Sequence, residues 1–360
     1  MTARIAIVGG GYVGATLARA LDPHAAVTLV EPRTHFIHAP ATIRAVVEPE
    51  LLDRALIPLD RLLARGEVVR ARAAAVDAGG VTLADGGRVA ADWIVVATGS
   101  ANGAPFKPEG DDLAAFRAAS RRAHEQLRAA ETVAIVGAGA VGVELAGEIA
   151  YAMPGKRVTL VSGTPRLFPD QPEALGDALA AKLRAMGVTL ILGARAEGLQ
   201  STTEPHPGTL RLPDGTEHRF DLVFPALGSR PDTALLAGLP GARLAAAGRV
   251  AVDPWLRPST LENVFAAGDA VDAGDGMTIV TTSRQVPWLR RTLRAVAKGR
   301  RVEALAPFRP WGPKAPILVP LGPQRGNSFL GLFTAGDFVT RKMKGADLFV
   351  PKYRKLLNQA

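Results

Sequence analysis

The chain is 360 residues long, with a net charge of +9, an apolar share of 48% and no cysteine. That length and composition provide for two domains with full hydrophobic cores and exclude a largely disordered chain. The missing thiols exclude structural disulfides, thiolate metal sites, redox-active cysteine pairs and persulfide chemistry, while the positive charge suits anionic partners such as cofactor phosphates or an acidic lipid surface.

The first element is Arg4-Ile5-Ala6-Ile7-Val8, an apolar β-branched run that reads as a buried parallel strand. Gly9-Gly10-Gly11-Tyr12-Val13-Gly14 follows directly and opens an Ala/Leu-rich helical pattern. This is a dinucleotide fingerprint: Gly9 permits the tight turn, Gly11 lets phosphates approach the backbone, and Gly14 lets helix pack closely on strand. A second strand, Val27–Val30, ends at Glu31, about 20 residues beyond the middle glycine, where a carboxylate hydrogen-bonds an adenosine ribose. Val81–Leu83 and Asp85–Arg88 read as strand and turn, and Asp92–Gly99 returns the chain to a sheet.

A helical pattern between Pro105 and Arg128 leads to the strand Thr132–Val136 and to a second fingerprint, Gly137-Ala138-Gly139-Ala140-Val141-Gly142. One such match is weak evidence, whereas two in the same strand-to-helix context are specific. Glu144 is expected on the first turn of the second nucleotide-binding helix, within reach of the nicotinamide amide or ribose. Simple placement of a carboxylate near a helix N-terminus is the competing reading. The next strand, Arg157–Val161, ends at Ser162, where an NADH-specific site usually carries Asp or Glu. Serine removes the repulsion that rejects a 2′-phosphate, and Arg166 or Arg157 could pair with one, so the reading leans to NADPH or to both nucleotides. A hairpin around Pro213-Asp214-Gly215 and a strand Asp221–Phe224 close the repeat at Ala226–Asp232.

Asn263–Asp269 and a helix from about Ser283 to Lys298 follow. Pro307, Pro310, Pro313 and Pro316 then mark off a tail in which nine basic residues from Arg309 onward face only Asp337 and Asp347. Phe329–Phe333 and Leu348–Val350 are apolar patches between these cations. They suit either contact with anionic lipid or packing on the preceding domain. The six histidines show no metal-ligand spacing, so no metal is assigned, and neither a Ser-His-Asp set nor a P-loop is present.

Taken in order, the Gly9–Gly14 fingerprint with Glu31, the Ala97-Thr98-Gly99-Ser100 strand end, the Gly137–Gly142 fingerprint with Glu144, and Gly268-Asp269 resemble the two-dinucleotide-binding-domain flavoproteins of the pyridine-nucleotide-dependent oxidoreductase superfamily. His35-Phe36, Ala41-Thr42-Ile43-Arg44 and Lys344–Val350 are similar to the apoptosis-inducing-factor-like branch that includes the ferroptosis suppressor protein. The resemblance implies an α/β, glutathione-reductase-like fold. Its FAD-binding domain would comprise residues 1–104 and 227–304, its NAD(P)-binding domain residues 105–226, and its short basic C-terminal module residues 305–360. It implies FAD on Gly9, Gly10, Gly11, Tyr12, Val13, Gly14, Glu31 and Gly99, with Gly268-Asp269 at the ribityl or phosphate region, Arg44 in contact and the Ala73 backbone at the adenine end. NAD(P)H would lie on Gly137, Gly139, Gly142, Glu144 and Ser162.

Lys344 and Phe349 are expected near the flavin and the entrance for a quinone. The helix start near Thr281-Thr282-Ser283 would aim its dipole at the reduced flavin. The activity so implied is NAD(P)H:quinone oxidoreduction. A reductase of a ferredoxin-like protein and a cofactor-bound redox-switch binding protein are the competing readings. A nucleic-acid partner is not expected without a base-reading motif, whereas a homodimer is within expectation. The sequence runs from Met1 into the first strand without a signal-peptide pattern, and no apolar stretch reaches the roughly 18 residues of a spanning helix, so the expected location is the cytoplasm, peripheral at the inner face of the membrane through the tail. The branch's N-terminal myristoylation glycine is replaced by Thr2.

Overall fold

The computed structural model describes residues 2–359. It is built on two five-stranded sheets of one design. In the first sheet Val264–Ala266, Trp93–Val96, Arg4–Val8, Ala26–Val30 and Glu67–Val69 lie side by side, all parallel. In the second, Thr189–Leu192, Arg157–Ser162, Thr132–Val136 and Glu217–Pro225 are parallel, and His206–Arg211 adds an antiparallel edge. Side chains on both faces of the central strands are buried, which is why those strands read as unbroken apolar runs. The tandem Rossmann architecture expected from the two fingerprints is present.

The first sheet is assembled from distant parts of the chain, because its edge strand Val264–Ala266 arrives only after the whole second sheet. Where the chain leaves and re-enters, Ser100–Ala101 pairs antiparallel with Arg230–Pro231. The two Ala-x-Gly-Ser strand ends therefore lie at the junction of the units. The following helix spans Ile279–Val296, earlier than the expected start at Thr281–Ser283. The hydroxyls of Thr281, Thr282 and Ser283 resemble caps, but they donate to the carbonyls of Thr278, Ile279 and Val280 inside the helix. Thr278 is the cap, its hydroxyl accepting from the Thr281 amide.

The C-terminal residues are folded against both units. Ile317–Leu321, Arg325–Phe329 and Thr334–Ala335 form an antiparallel sheet, followed by a helical turn Asp337–Thr340, a π-turn Arg341–Gly345 and a last helix Val350–Leu356. Val319, Leu321 and Phe329 join the core around Leu145 and Ile149 of the second fingerprint helix, Ala140–Ala152. Tyr353 and Leu357 instead join the core around Leu17 and Phe36 of the first unit. At the first of these contacts a Cβ on Gly147 would stand 2.5 Å from the Leu321 backbone, so glycine alone lets helix and strand meet. The two apolar patches need correcting as lipid-facing surface. Phe329, Leu348 and Val350 are buried, and of the Phe329–Phe333 run only Leu332 and Phe333 are exposed. Among the described residues no helix is long and apolar enough to cross a membrane.

Candidate functional site

The two fingerprints give two turns with matching contacts. The Gly9 amide donates to the Val30 carbonyl at 2.9 Å, and the Gly137 amide to Val161 at 2.8 Å. A Cβ on Gly14 would come within 1.8 Å of the Gly9 carbonyl oxygen, and one on Gly142 within 1.9 Å of the Gly137 oxygen. The third glycine of each motif is thus fixed by helix-to-turn contact. Beside Gly11 and Gly139 a Cβ would meet nothing within 4 Å, which leaves the mid-turn backbone open to a ligand.

A cavity lies against the first turn. It is lined by Gly9, Gly10, Gly11, Tyr12 and Val13 on one side and by Thr98, Gly99, Ser100, Gly268, Asp269 and Thr282 on the other. Glu31 reaches it from the end of its strand, with one carboxylate oxygen accepting from the Gly10 amide at 2.6 Å and the other from the Arg33 amide at 2.9 Å. Ala73 lies in an adjoining hollow with Glu31 and Arg72. Asp269 accepts the Ser100 hydroxyl at 2.6 Å, while Lys107 Nζ donates to that hydroxyl at 2.9 Å and stands 3.9 Å from Asp269. Burial pulls the Lys107 ammonium down from its ordinary range, with Asp269 opposing. Open glycine backbone, an acid at the ribose position and the cations Arg33, Arg72 and Lys107 around one cavity form a donor set that fits the diphosphate and ribose of FAD.

Arg44 stands elsewhere, outside the residues lining this cavity. Buried in the helix Ala39–Ala45, it donates from Nε to both oxygens of Glu148 at 3.0 Å and from Nη2 to the Gly345 carbonyl at 2.7 Å. Glu144 accepts from Lys344 Nζ at 2.6 Å, and Lys344 also donates to the Leu318 carbonyl. Glu144 lies in the second turn of its helix, not the first as the spacing implied, because the helix begins at Ala140. Burial raises both carboxylic acids above their usual range, Glu148 to about 7, with Arg44 and Lys344 pulling the other way. These four ionisable groups, three of them buried, therefore join the first unit, the second fingerprint helix and the C-terminal module.

Phe349 sits four residues beyond Gly345, where the π-turn ends, half-buried and with Lys352 Nζ 5.4 Å from its ring centre. Both Leu348 (φ +53°) and Phe349 (φ +64°) are left-handed, at a cost of about 1–2 kcal/mol each. The segment is held from below by His38. Burial drives the His38 imidazole down to about 4, so it is neutral at pH 7. Its Nε2 donates to the Leu348 carbonyl at 2.5 Å, which leaves Nδ1 to accept the Tyr12 hydroxyl at 3.1 Å. A chain of hydrogen bonds thus runs from the first fingerprint to the strained pair.

At the second fingerprint Ser162 is buried, its hydroxyl 2.9 Å from that of Thr164. Arg195 borders the same bend, since a Cβ on Gly163 would stand 3.8 Å from the Arg195 Cβ. Arg157 is excluded as a partner for a phosphate there: it begins the strand that Ser162 ends, roughly 16 Å away in extended chain, and pairs with Glu131. Lys107, His38, Glu148 and Arg195 escaped the sequence reading. Only Lys107 had a nearby signal, a lone lysine just beyond the Gly99-Ser100 strand end.

The model of the pyridine nucleotide-disulphide oxidoreductase family matches residues 60–297. Apoptosis-inducing factor homolog B of Dictyostelium discoideum is 28% identical over 99% of this chain and 97% of its own length. Ferroptosis suppressor protein 1 of Homo sapiens is 25% identical over 99% of this chain and 96% of its own. Among solved structures, the sulfide:quinone oxidoreductase of Aquifex aeolicus superposes with a TM-score of 0.77 at 15% identity, covering 99% of this chain and 92% of that one.

Proposed function

This chain belongs to the pyridine nucleotide-disulphide oxidoreductase family as an FAD-dependent NAD(P)H oxidoreductase, and we propose that within the family its electron acceptor is a quinone. The observation that carries the proposal is the buried Glu144–Lys344 pair beside the strained Leu348–Phe349 segment, in a chain without a cysteine. A disulfide or persulfide acceptor needs thiols that these 360 residues lack. A quinone needs an apolar approach and a nearby cation or proton donor, and Phe349 and Lys344 supply them.

In this reading the first turn, with Glu31, Lys107 and Asp269, holds FAD, and the second turn, with Ser162, holds the nicotinamide nucleotide. Bound FAD supplies the chemistry of accepting hydride from NAD(P)H and returning two electrons to the acceptor. The protein's part is to hold both partners in contact and to exclude water. Lys344 opposes the burial that raises the Glu144 carboxyl above its usual range, and the hydrogen bond between them fixes a polar pair at the junction of the units. Ser162 and Arg195 favour a nucleotide bearing a 2′-phosphate.

Anaerobic stopped-flow mixing with NADH and with NADPH, followed by a short-chain ubiquinone or naphthoquinone, tests the scheme. Rapid bleaching by NADPH and rapid quinone-driven recovery are expected. Recovery driven by a ferredoxin but not by quinones would sink the acceptor assignment. Lys344→Ala and Phe349→Ala are expected to lower quinone turnover more than flavin content, and unchanged turnover in both would remove these residues from the acceptor site.

A further inference from the structure

Most large apolar side chains of the tail are buried or half-buried, yet four remain in water. Leu332 is 85% exposed, Phe338 76%, Phe333 60% and Met343 42%. They lie on two adjoining elements. Phe329 pairs with Thr334, and the Leu330 amide donates to the Phe333 carbonyl at 3.0 Å, so the hairpin turns tightly and Leu332 and Phe333 form its tip. Phe338 and Met343 are carried by the helical turn and π-turn that follow, whose other side buries Thr340 and Gly345 and points Lys344 at Glu144.

The charges around these side chains are mostly positive. Lys314 flanks the hairpin tip, its carbonyl 3.2 Å from where a Cβ on Gly331 would stand, and Arg341 and Lys342 alternate with the apolar residues of the π-turn. All three cations are exposed, and among the described residues none of them makes an ion pair. The neighbouring acids are otherwise engaged: Asp337 holds Lys182 and the Gly326 amide, and Asp347 accepts the Phe349 amide.

We propose that this face, Leu332, Phe333, Phe338 and Met343 with Lys314, Arg341 and Lys342, docks the protein on an anionic phospholipid surface. Aromatic and leucine side chains at a protruding tip enter the headgroup region, and the cations beside them meet acidic headgroups. A second copy of the chain fits less well. Four side chains of about 200 Å² each, none fully exposed, fall short of the roughly 800 Å² per partner of a standard interface. A two-fold contact would also bring the cations of both copies together. The same π-turn that presents Arg341, Lys342 and Met343 outward presents Lys344 inward, so docking places the acceptor side of the molecule toward the lipid.

Flotation of the full-length, flavin-loaded protein with vesicles tests this without reference to any electron acceptor. The protein is expected to float with vesicles containing phosphatidylglycerol, to stay down with phosphatidylcholine alone, and to be released by salt. Leu332→Ser/Phe333→Ser/Phe338→Ser is expected to lower the bound fraction about tenfold or more, and Arg341→Glu/Lys342→Glu about tenfold, with flavin absorbance and reduction of a short-chain quinone unchanged. Failure of the unaltered protein to float with acidic vesicles overturns the proposal, as does wild-type flotation by the triple variant. A dimer in light scattering that the triple variant splits would assign the face to a second copy instead. A protein that floats but reduces no quinone keeps this surface and loses the acceptor assignment.

Discussion

The two dinucleotide folds of this chain share a backbone but differ in what they ask of their neighbours. Each turn has the same amide-to-carbonyl bond and the same close glycine contact. In the first, Glu31 occupies the end of the second strand, and a Cβ at Gly10 would come within 2.8 Å of its side chain. In the second, the smaller Ser162 takes that place and residue 138 is alanine, buried without conflict. The acid and the extra glycine are therefore one feature: a carboxylate that reaches the turn requires a residue without a side chain. The helices differ as well. Tyr12–Leu21 carries no acid, whereas Ala140–Ala152 buries Glu144 and Glu148 and depends on Lys344 and Arg44 from other parts of the chain.

The sharpest way to break the parallel is at the third glycines. Gly14→Ala and Gly142→Ala drive a Cβ into backbone to the same degree, at a cost of more than about 3 kcal/mol each. Gly14→Ala is expected to purify without flavin, and Gly142→Ala to keep flavin that NAD(P)H no longer bleaches, as absorbance spectra would report. Equal flavin loss in both would mean that the folds stand or fall together. Next in size is Lys344→Met, which leaves Glu144 buried without its partner. Chemical denaturation should show a loss of up to about 3–5 kcal/mol, less what Glu144 recovers by taking up a proton, and Lys344→Met/Glu144→Gln should restore most of it.

A smaller effect is expected from Ser162→Asp, which makes the second fold resemble the first. Its kcat/KM for NADPH should fall at least about tenfold, or about 1.4 kcal/mol, while that for NADH holds or rises. The smallest concerns Glu148, whose pKa in the folded state is pushed up to about 7, above the ordinary carboxylate range. The folded protein then binds a proton that the unfolded chain has released, so this group's contribution to stability is present below the ordinary range and is lost as pH rises toward 7. Thermal unfolding of Glu148→Gln should show a weaker fall of Tm between acid and neutral pH than the unaltered chain, and identical profiles would contradict the assignment.

The features that local spacing controls were readable in advance. Strand–glycine–helix order, the acid at Glu31 and the hairpin turn at Asp214-Gly215 each follow from a few adjacent residues, and both sheets formed accordingly. The start of the helix at Ile279 was not readable, because threonine hydroxyls serve equally as caps and as internal donors to the preceding turn. Nor was the pairing of Glu144 with Lys344, 200 positions apart, since no periodicity connects them. The tail misled for a related reason. Phe329, Leu348 and Val350 have the composition of a lipid-facing patch, and only the packing of Ile317–Leu321 on the Ala140–Ala152 helix and of the last helix on Tyr12 and Phe36 decides which side chains are covered.

The discontinuity of the first sheet bears on the order of events during synthesis. The second sheet is contiguous and is complete once Pro225 has left the ribosome, so it can fold while translation continues. The first sheet lacks its edge until Val264–Ala266 emerges, and its core lacks Tyr353 and Leu357 until the chain is nearly finished. At typical elongation rates that interval is on the order of ten seconds. During it, the N-terminal strands stand without one neighbour beside an already folded partner, and the Glu31 cavity is unfinished. The second sheet can therefore form before the first, although the first begins the chain, and the cores under both close only when the C-terminal residues arrive.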